Sequence, residues 1–229
     1  MLSLVRTIAP TVEPVTVAQA KQHARVDITD DDALFGTLIT AARIHAEKQT
    51  GRALLEQTWR MSLDRFPGYQ PWNLGSPFSP VVGRQFSTEY VCGQYMQPPL
   101  LLPNPPLIGI VDLKYYDIQG NLQTLDPSAY VVGQDHEPAA IFPVPFTWWP
   151  ATMWGRPDAV QVTYTAGYGT TPDKVPATIT LAILGLVAHW YENRESVALT
   201  NSTNAVTTIP QYVDALLGDE TFVAFSYTD

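Results

Sequence analysis

Hydrophobic spacing along the chain changes period twice, from helical to alternating and back. Residues 29–51, TDDDALFGTLITAARIHAEKQTG, put Leu34, Leu38, Ala41 and His45 on one stripe and Phe35, Ile39, Ala42 and Ala46 on another. That is the repeat of an amphipathic helix. Thr29 and Asp32 stand in capping-box spacing, and Asp30, Asp31 and Asp32 favour the positive end of a helix dipole. Gly51 sits where a left-handed residue stops a helix. The pattern predicts a helix over Asp31–Gln49, with one stripe for the chain's own core and one for a neighbour. Upstream, Thr16 can cap a short helix over Val17–Val26, with Val17, Ala20 and Ala24 on one side.

From Leu55 the period becomes two. QTWRMSLDRF places Trp59, Met61 and Leu63 opposite Arg60, Ser62 and Asp64, a half-buried strand. FPGYQPWNLGSPFSP (66–80) reads as a loop, and VGRQFSTEYVC (82–92) as a further strand. QPPLLLPNPPL (97–107) has prolines on both sides of a short apolar run. Proline lacks the ladder donor, so this piece belongs at a sheet edge. IVDLKYYDIQGNLQTL (110–125) predicts a hairpin turning near Gln119-Gly120-Asn121. AYVVG, AAIF and AVQVTYTAG supply further short strands.

The helical period returns after VTYTAGYGTTPDKVP (162–176). Gly167 and Gly169 end a strand, Thr171 or Asp173 can cap, and Pro176 suits a first helical turn. Thr-Ala-Gly-Tyr-Gly is close to a potassium-channel filter. The most apolar run, Ala177–Tyr191, is shorter than the ~20 residues a membrane span requires. The peptide is therefore a strand-to-helix corner, and no membrane partner is expected. Ala177–Asn193 predicts the main C-terminal helix. Ile179, Ala182, Ile183, Leu186, Val187 and Trp190 form one face, and Leu181, Leu184, Ala188 and Tyr191 form another. SVALTNSTNAVTT has linker character, QYVDALLG predicts a short helix stopped by Gly218, and ETFVAFSYTD is apolar.

These elements give an α+β class, a small helical bundle from N- and C-terminal segments around an antiparallel β insertion. The expected divisions are 1–54 (helical core), 55–170 (β insertion with proline-rich loops), 171–195 (main C-terminal helix) and 196–229 (extended tail with a short helix, for docking a partner).

Composition narrows the chemistry. Charged residues are 15% of the chain, below the ~25% of ordinary domains, as in proteins with wide subunit contacts. A net charge of −9 opposes binding nucleic acid by phosphate neutralisation. After Arg194 there is no basic residue, only Glu195, Asp214, Asp219, Glu220 and Asp229. Cys92 stands alone, so no disulfide framework or cysteine cluster is available. His189 and Glu192 are i,i+3, but a carboxylate-bridged metal site needs that pair repeated. The three aspartates lack the spacing of a calcium loop. No nucleophile elbow or phosphate loop occurs. No enzyme, metal or cofactor is expected. FTWWPATMW (146–154) is the one dense aromatic stretch; its alternative reading is a carbohydrate-binding or adhesin surface.

Three stretches carry a resemblance: EPVTVAQAKQHARVDITDDDALFGTLITAARIHAEKQTGRALLEQTWRMSLDRFP, LKYYDIQGNLQTLDPSAYVV, and VQVTYTAGYG with VPATITLAILGLVAHWYENRESV. Together they resemble the head–tail connector (adaptor) proteins of tailed bacteriophages and phage-like gene transfer agents. The match excludes Gln70–Met96. The resemblance implies a dodecameric ring at the virion head–tail junction, assembled in the host cytoplasm. Its partners would be itself, the portal, and a stopper or tail-completion protein, with genomic DNA passing through without sequence-specific contact. On that basis the ring scaffold is assigned to the two main helices. The subunit-contact candidates are Phe35, Ile39, Trp190, Tyr191 and Arg194, and the portal-docking candidates are Tyr212, Leu216, Leu217, Phe222 and Phe225.

Overall fold

The computed structural model describes residues 2–67, 98–193 and 211–221. In chain order the elements are β1 (Leu2–Ile8), α1 (Val17–Ala24), α2 (Asp32–Thr50), β2 (Gln57–Leu63), β3 (Leu100–Leu101), β4 (Leu107–Tyr116), β5 (Leu122–Thr124), β6 (Tyr130–Gly133), β7 (Ala140–Pro143), β8 (Val160–Ala166), α3 (Ala177–Glu192) and α4 (Gln211–Asp219). This is an α+β fold. The described residues form two compact units, one from 2–9, 57–67 and 98–167, the other from 10–56, 168–193 and 211–221.

The first unit is all antiparallel. A five-stranded sheet runs in the order β1-β2-β8-β4-β5, and a three-stranded sheet in the order β3-β7-β6. Strand β8 alternates strictly, with Val160, Val162, Tyr164 and Ala166 buried. Val162 lies opposite Met61 on one side and Leu113 on the other, and all three are fully buried. Directly opposed residues share a sheet face, so this row is the centre of the unit's core. The Tyr164 phenol is buried and donates to the Pro103 carbonyl at 2.8 Å. Strand β3 is an edge strand, as its flanking prolines require. The β4–β5 turn is built on Asp117, whose carboxylate accepts from the Gln119 and Asn121 amides at 3.0 and 2.9 Å.

Strand β1 departs from expectation. Residues 2–8 belong to the sheet and not to the helical core, because they pair with β2 along its length. The predicted strand over 82–92 and the loop over 66–80 lie outside the described residues, apart from Phe66 and Pro67.

The second unit is a bundle in which α3 touches α1, α2 and α4. Thr16 caps α1 in a reciprocal box with Gln19, and Arg25, in the left-handed region, ends it. Helix α2 starts after Asp31 without a side-chain cap, so the Thr29–Asp32 box does not form; Asp32 N–H reaches the Thr29 carbonyl instead. Gly51 ends α2 at φ 66°. Pro176 is the N-cap of α3, one residue before the first turn. Gly218 does not stop α4, which continues to Asp219.

The chain passes between the units at the glycine corner. Gly167 (φ 136°) and Gly169 (φ 153°) take backbone angles that side chains disfavour. Between them Tyr168 N–H donates to the Leu54 carbonyl, and Glu56 N–H donates to Gly169. The TAGYG peptide thus clamps the segment after α2.

Candidate functional site

The candidate surfaces follow from which apolar side chains the fold leaves uncovered. On α2 the stripe Phe35, Ile39, Ala42 and Ala46 is at most 1% exposed and lies in the bundle core. Phe35 and Ile39 therefore have no accessible surface for a second subunit. The stripe through Leu34, 36% exposed, is the outward one. Trp190 and Tyr191 are half-buried. Trp190 meets the His45 ring edge-on at 6.0 Å, and Tyr191 stacks on Phe35 at 4.6 Å. The Tyr191 phenol also donates to Asp31 at 2.6 Å. Part of each ring is therefore already engaged in the bundle. Arg194 lies outside the described residues.

Helix α4 changes the expected picture of the tail. Val213 and Leu217 are fully buried in the bundle core, so Leu217 cannot dock a portal. The short helix expected within 196–229 is present as α4, and it packs into the bundle. Tyr212 is half exposed and Leu216 half-buried. The α4 end is anchored, with Arg52 Nε donating to the Glu220 carbonyl and the Thr178 hydroxyl to its carboxylate, both at 2.8 Å. Phe222 and Phe225 lie outside the described residues.

The outer face of α3 borders a groove of about 600 Å³, lined by Pro14, Gln19, Val175, Ala177, Leu181 and Leu184 among others. Leu181 is 45% exposed there. On the rim, a hydrogen bond from the Thr171 hydroxyl holds the Asp173 carboxyl below its usual range. The groove is shallow and mostly apolar, and presents no paired acid and base.

The aromatic stretch divides. Trp149 is buried and stacks on Phe66 at 4.7 Å with rings 3° apart. It is a core residue and not a sugar platform. Phe146, Trp148 and Trp154 stay exposed, with the Arg65 guanidinium over Trp154 at 5.7 Å.

An ionic knot went unread in the sequence. Arg43 is buried, with Nε donating to Glu13 at 2.8 Å and Nη1 to Glu47 at 3.0 Å. The Thr40 hydroxyl also reaches Glu13, and the Leu54 amide reaches Glu47. The i,i+4 spacing of Arg43 and Glu47 was the available signal. Among the described residues no cluster of His, Cys, Asp or Glu is arranged to hold a metal, and no helix is long and apolar enough to cross a membrane. His189 instead contacts the Asn193 amide at 3.2 Å.

No protein-family model and no curated protein matches the chain. Solved structures do. A chain from the neck of an empty gene transfer agent particle, computed with C6 symmetry, aligns over 97% of this chain and 96% of its own, with TM-score 0.66 and 21% identity. A chain from the neck of the native particle, computed with C12 symmetry, gives 0.65, 21% identity and the same coverage. One from the native particle's virion gives 0.64 and 21% identity over 96% of this chain and 95% of its own. Over 96–97% of its length the chain therefore has the fold of chains from gene transfer agent particles, two of them from the neck.

Proposed function

We propose that the chain is a structural adaptor of a phage-type neck. Identical copies, twelve in number, form a ring between the portal and a stopper or tail-completion protein, and the genome passes through its centre. The observation that carries this reading is the likeness to neck chains over 97% of the length, in particles treated with sixfold and twelvefold symmetry. The role is structural rather than catalytic, and its place is the head–tail junction of a virion, reached from the host cytoplasm. A net charge of −9 suits a lumen that repels DNA phosphates and lets the genome slide.

Trp190, Tyr191 and Arg194 remain the subunit-contact candidates near the α3 end. Tyr212 and Leu216, with Phe222 and Phe225, remain the portal-docking candidates. The test is electron microscopy of the purified chain with its portal. Twelvefold rings on the portal are expected; a chain that stays solitary there would overturn the proposal. For docking, the truncation must start at Phe222, since removing α4 would take Val213 and Leu217 from the core. The shortened protein is expected to keep its fold and lose portal attachment; normal attachment refutes the docking assignment alone.

A further inference from the structure

Strand β1 contributes little to its own unit's core. Every residue is exposed except Leu4, which is half-buried. Leu2, Val5 and Ile8 are 51%, 47% and 59% exposed. Leu2 lies opposite Leu63, and Leu4 opposite Met61, on the core face; Val5 lies opposite Arg60, on the other face. Exposed apolar side chains therefore stand on both faces of one strand.

Its outer backbone edge has no partner strand among the described residues. The other edge pairs with β2. An open edge is a template for an added strand, and proteins guard it with proline, charge or shortness. Strand β1 runs seven residues without proline, and its single charge, Arg6, bonds Gln57 at 3.3 Å. Its register shift falls only at the end, between Arg6 and Ile8.

The opposite margin of the same sheet is also open. Strand β5 pairs only with Lys114–Tyr116 of β4. Residues 107–112 form a second open stretch among the described residues, with Ile108 41% and Val111 60% exposed. Both stand at register shifts in the pairing of β4 with β8, so this margin is bulged and offers an added strand a short stretch of ladder. Two unlike margins joined to one another make a head-to-tail contact, which gives a ring when its rotation closes. The neck chains that share this fold come from C6 and C12 reconstructions.

We infer that β1 adds to the β4 margin of a second copy of this chain, making the five-stranded sheets of neighbouring copies continuous. This is strand addition, in which main-chain hydrogen bonds supply the contact. The inference rests on the ring reading and names its joint.

The experiment uses the full chain with portal. Val5→Lys with Ile8→Lys changes only exposed side chains. The variant is expected to keep the wild-type circular dichroism and melting temperature as a monomer and to lose ring formation. In a Cys92→Ser background, Val5→Cys is combined in turn with Ile108→Cys and Val111→Cys. Opposed strand residues lie within disulfide reach, so oxidation of at least one pair is expected to give a ladder of linked copies, which no single-cysteine variant gives. Wild-type rings with the lysine variant, or no ladder from either pair, overturn the β1 joint and leave the ring reading standing. Slow amide exchange along both edges of β1 in the solitary protein would show the edge covered by its own chain, and would overturn the joint in the same way. Failure of the wild type to form rings overturns both. Should the lysine variant misfold, the cysteine ladder decides.

Discussion

Replacing Arg43 with methionine tests whether the buried ionic knot holds the N-terminal segment to α2. The substitution keeps most of the volume and removes the cation from Glu13 and Glu47. Removing one partner of a buried ion pair costs ~3–5 kcal/mol, mainly because a charge is left behind in a poor solvent. The Glu47 side chain is 11% exposed and has little access to water, whereas Glu13, at 31%, rehydrates in part. That places the expectation at the low end, about 3 kcal/mol, or a fall in Tm of about 10 °C for a domain of this size. Exposure discounts Glu13→Gln alone to about 1 kcal/mol.

The assay is urea unfolding followed by far-UV circular dichroism. Among the described residues all four α-helices lie in the second unit, so their signal reports the unit that contains the knot. The triple variant Arg43→Met, Glu13→Gln, Glu47→Gln removes every charge of the knot and is expected to recover much of the loss. A single Arg43→Met variant within about 0.5 kcal/mol of wild type, well inside the usual range for a surface change, would show that the knot adds nothing. A triple variant no better than the single would show that stranded charge is not the reason for the loss.

Other consequences are quicker to check. Tyr164→Phe leaves the Pro103 carbonyl without its donor and is expected to cost about 1 kcal/mol in the β unit, read by amide exchange on β8. Gly185→Ala sets a Cβ inside contact distance of the Tyr212 hydroxyl and ring. Tyr212 is half exposed and its ring can turn aside, and alanine is the better helix former by ~1 kcal/mol, so the variant is expected to displace the Tyr212 ring, read by its NMR shifts, with little net change in stability; an unmoved Tyr212 ring would refute the contact. Asp117 is held below its ordinary value of 3.8, first by the Gln123 side-chain amide and then by the Asn121 backbone. A depressed carboxylate stabilises above the unfolded value and loses that contribution as pH falls through its folded one. An NMR titration should therefore place the Asp117 midpoint below 3.8, and Gln123→Ala should raise it.

Much of the architecture was readable because core demand and period coincide. Strand β8 alternates along its whole length, and α3 carries apolar residues at every position its partners cover. The hairpin at Gln119-Gly120-Asn121 and the edge placement of Leu100–Leu101 follow from local backbone chemistry. Three failures share one cause. Both stripes of α2 are largely apolar in sequence, His45 being the polar exception on the outward one, and the approach of α3, with Tyr191 stacked on Phe35, settles which faces inward. Leu217 reads like any tail leucine until α4 is seen against α3. Strand β1 gives no clean alternation because neither of its faces is buried within the chain. Tertiary context supplied each answer, and a single sequence does not contain it in local form.

The distribution of uncovered apolar side chains shifts the weight of the ring argument. In the bundle, the exposed large hydrophobics are Val12, Ile28, Leu34, Leu181 and Tyr212, set apart on different elements. In the β unit Leu2, Val5, Ile8, Ile108, Val111 and Leu122 lie at the margins of the five-stranded sheet, and Ile118, Val131, Phe146, Trp148, Met153 and Trp154 lie elsewhere. Scattered surface hydrophobics are ordinary, whereas grouped ones mark contacts. A scaffold joined through the outward faces of α2 and α3 would make Leu34→Lys and Leu181→Lys the changes that weaken rings most. The β-margin joint requires the opposite ranking, with those two changes tolerated better than Val5→Lys and Ile8→Lys. Sedimentation of the four variants with portal separates the cases, because the helical residues and the strand residues are similarly exposed and differ only in whether an open backbone edge lies beneath them.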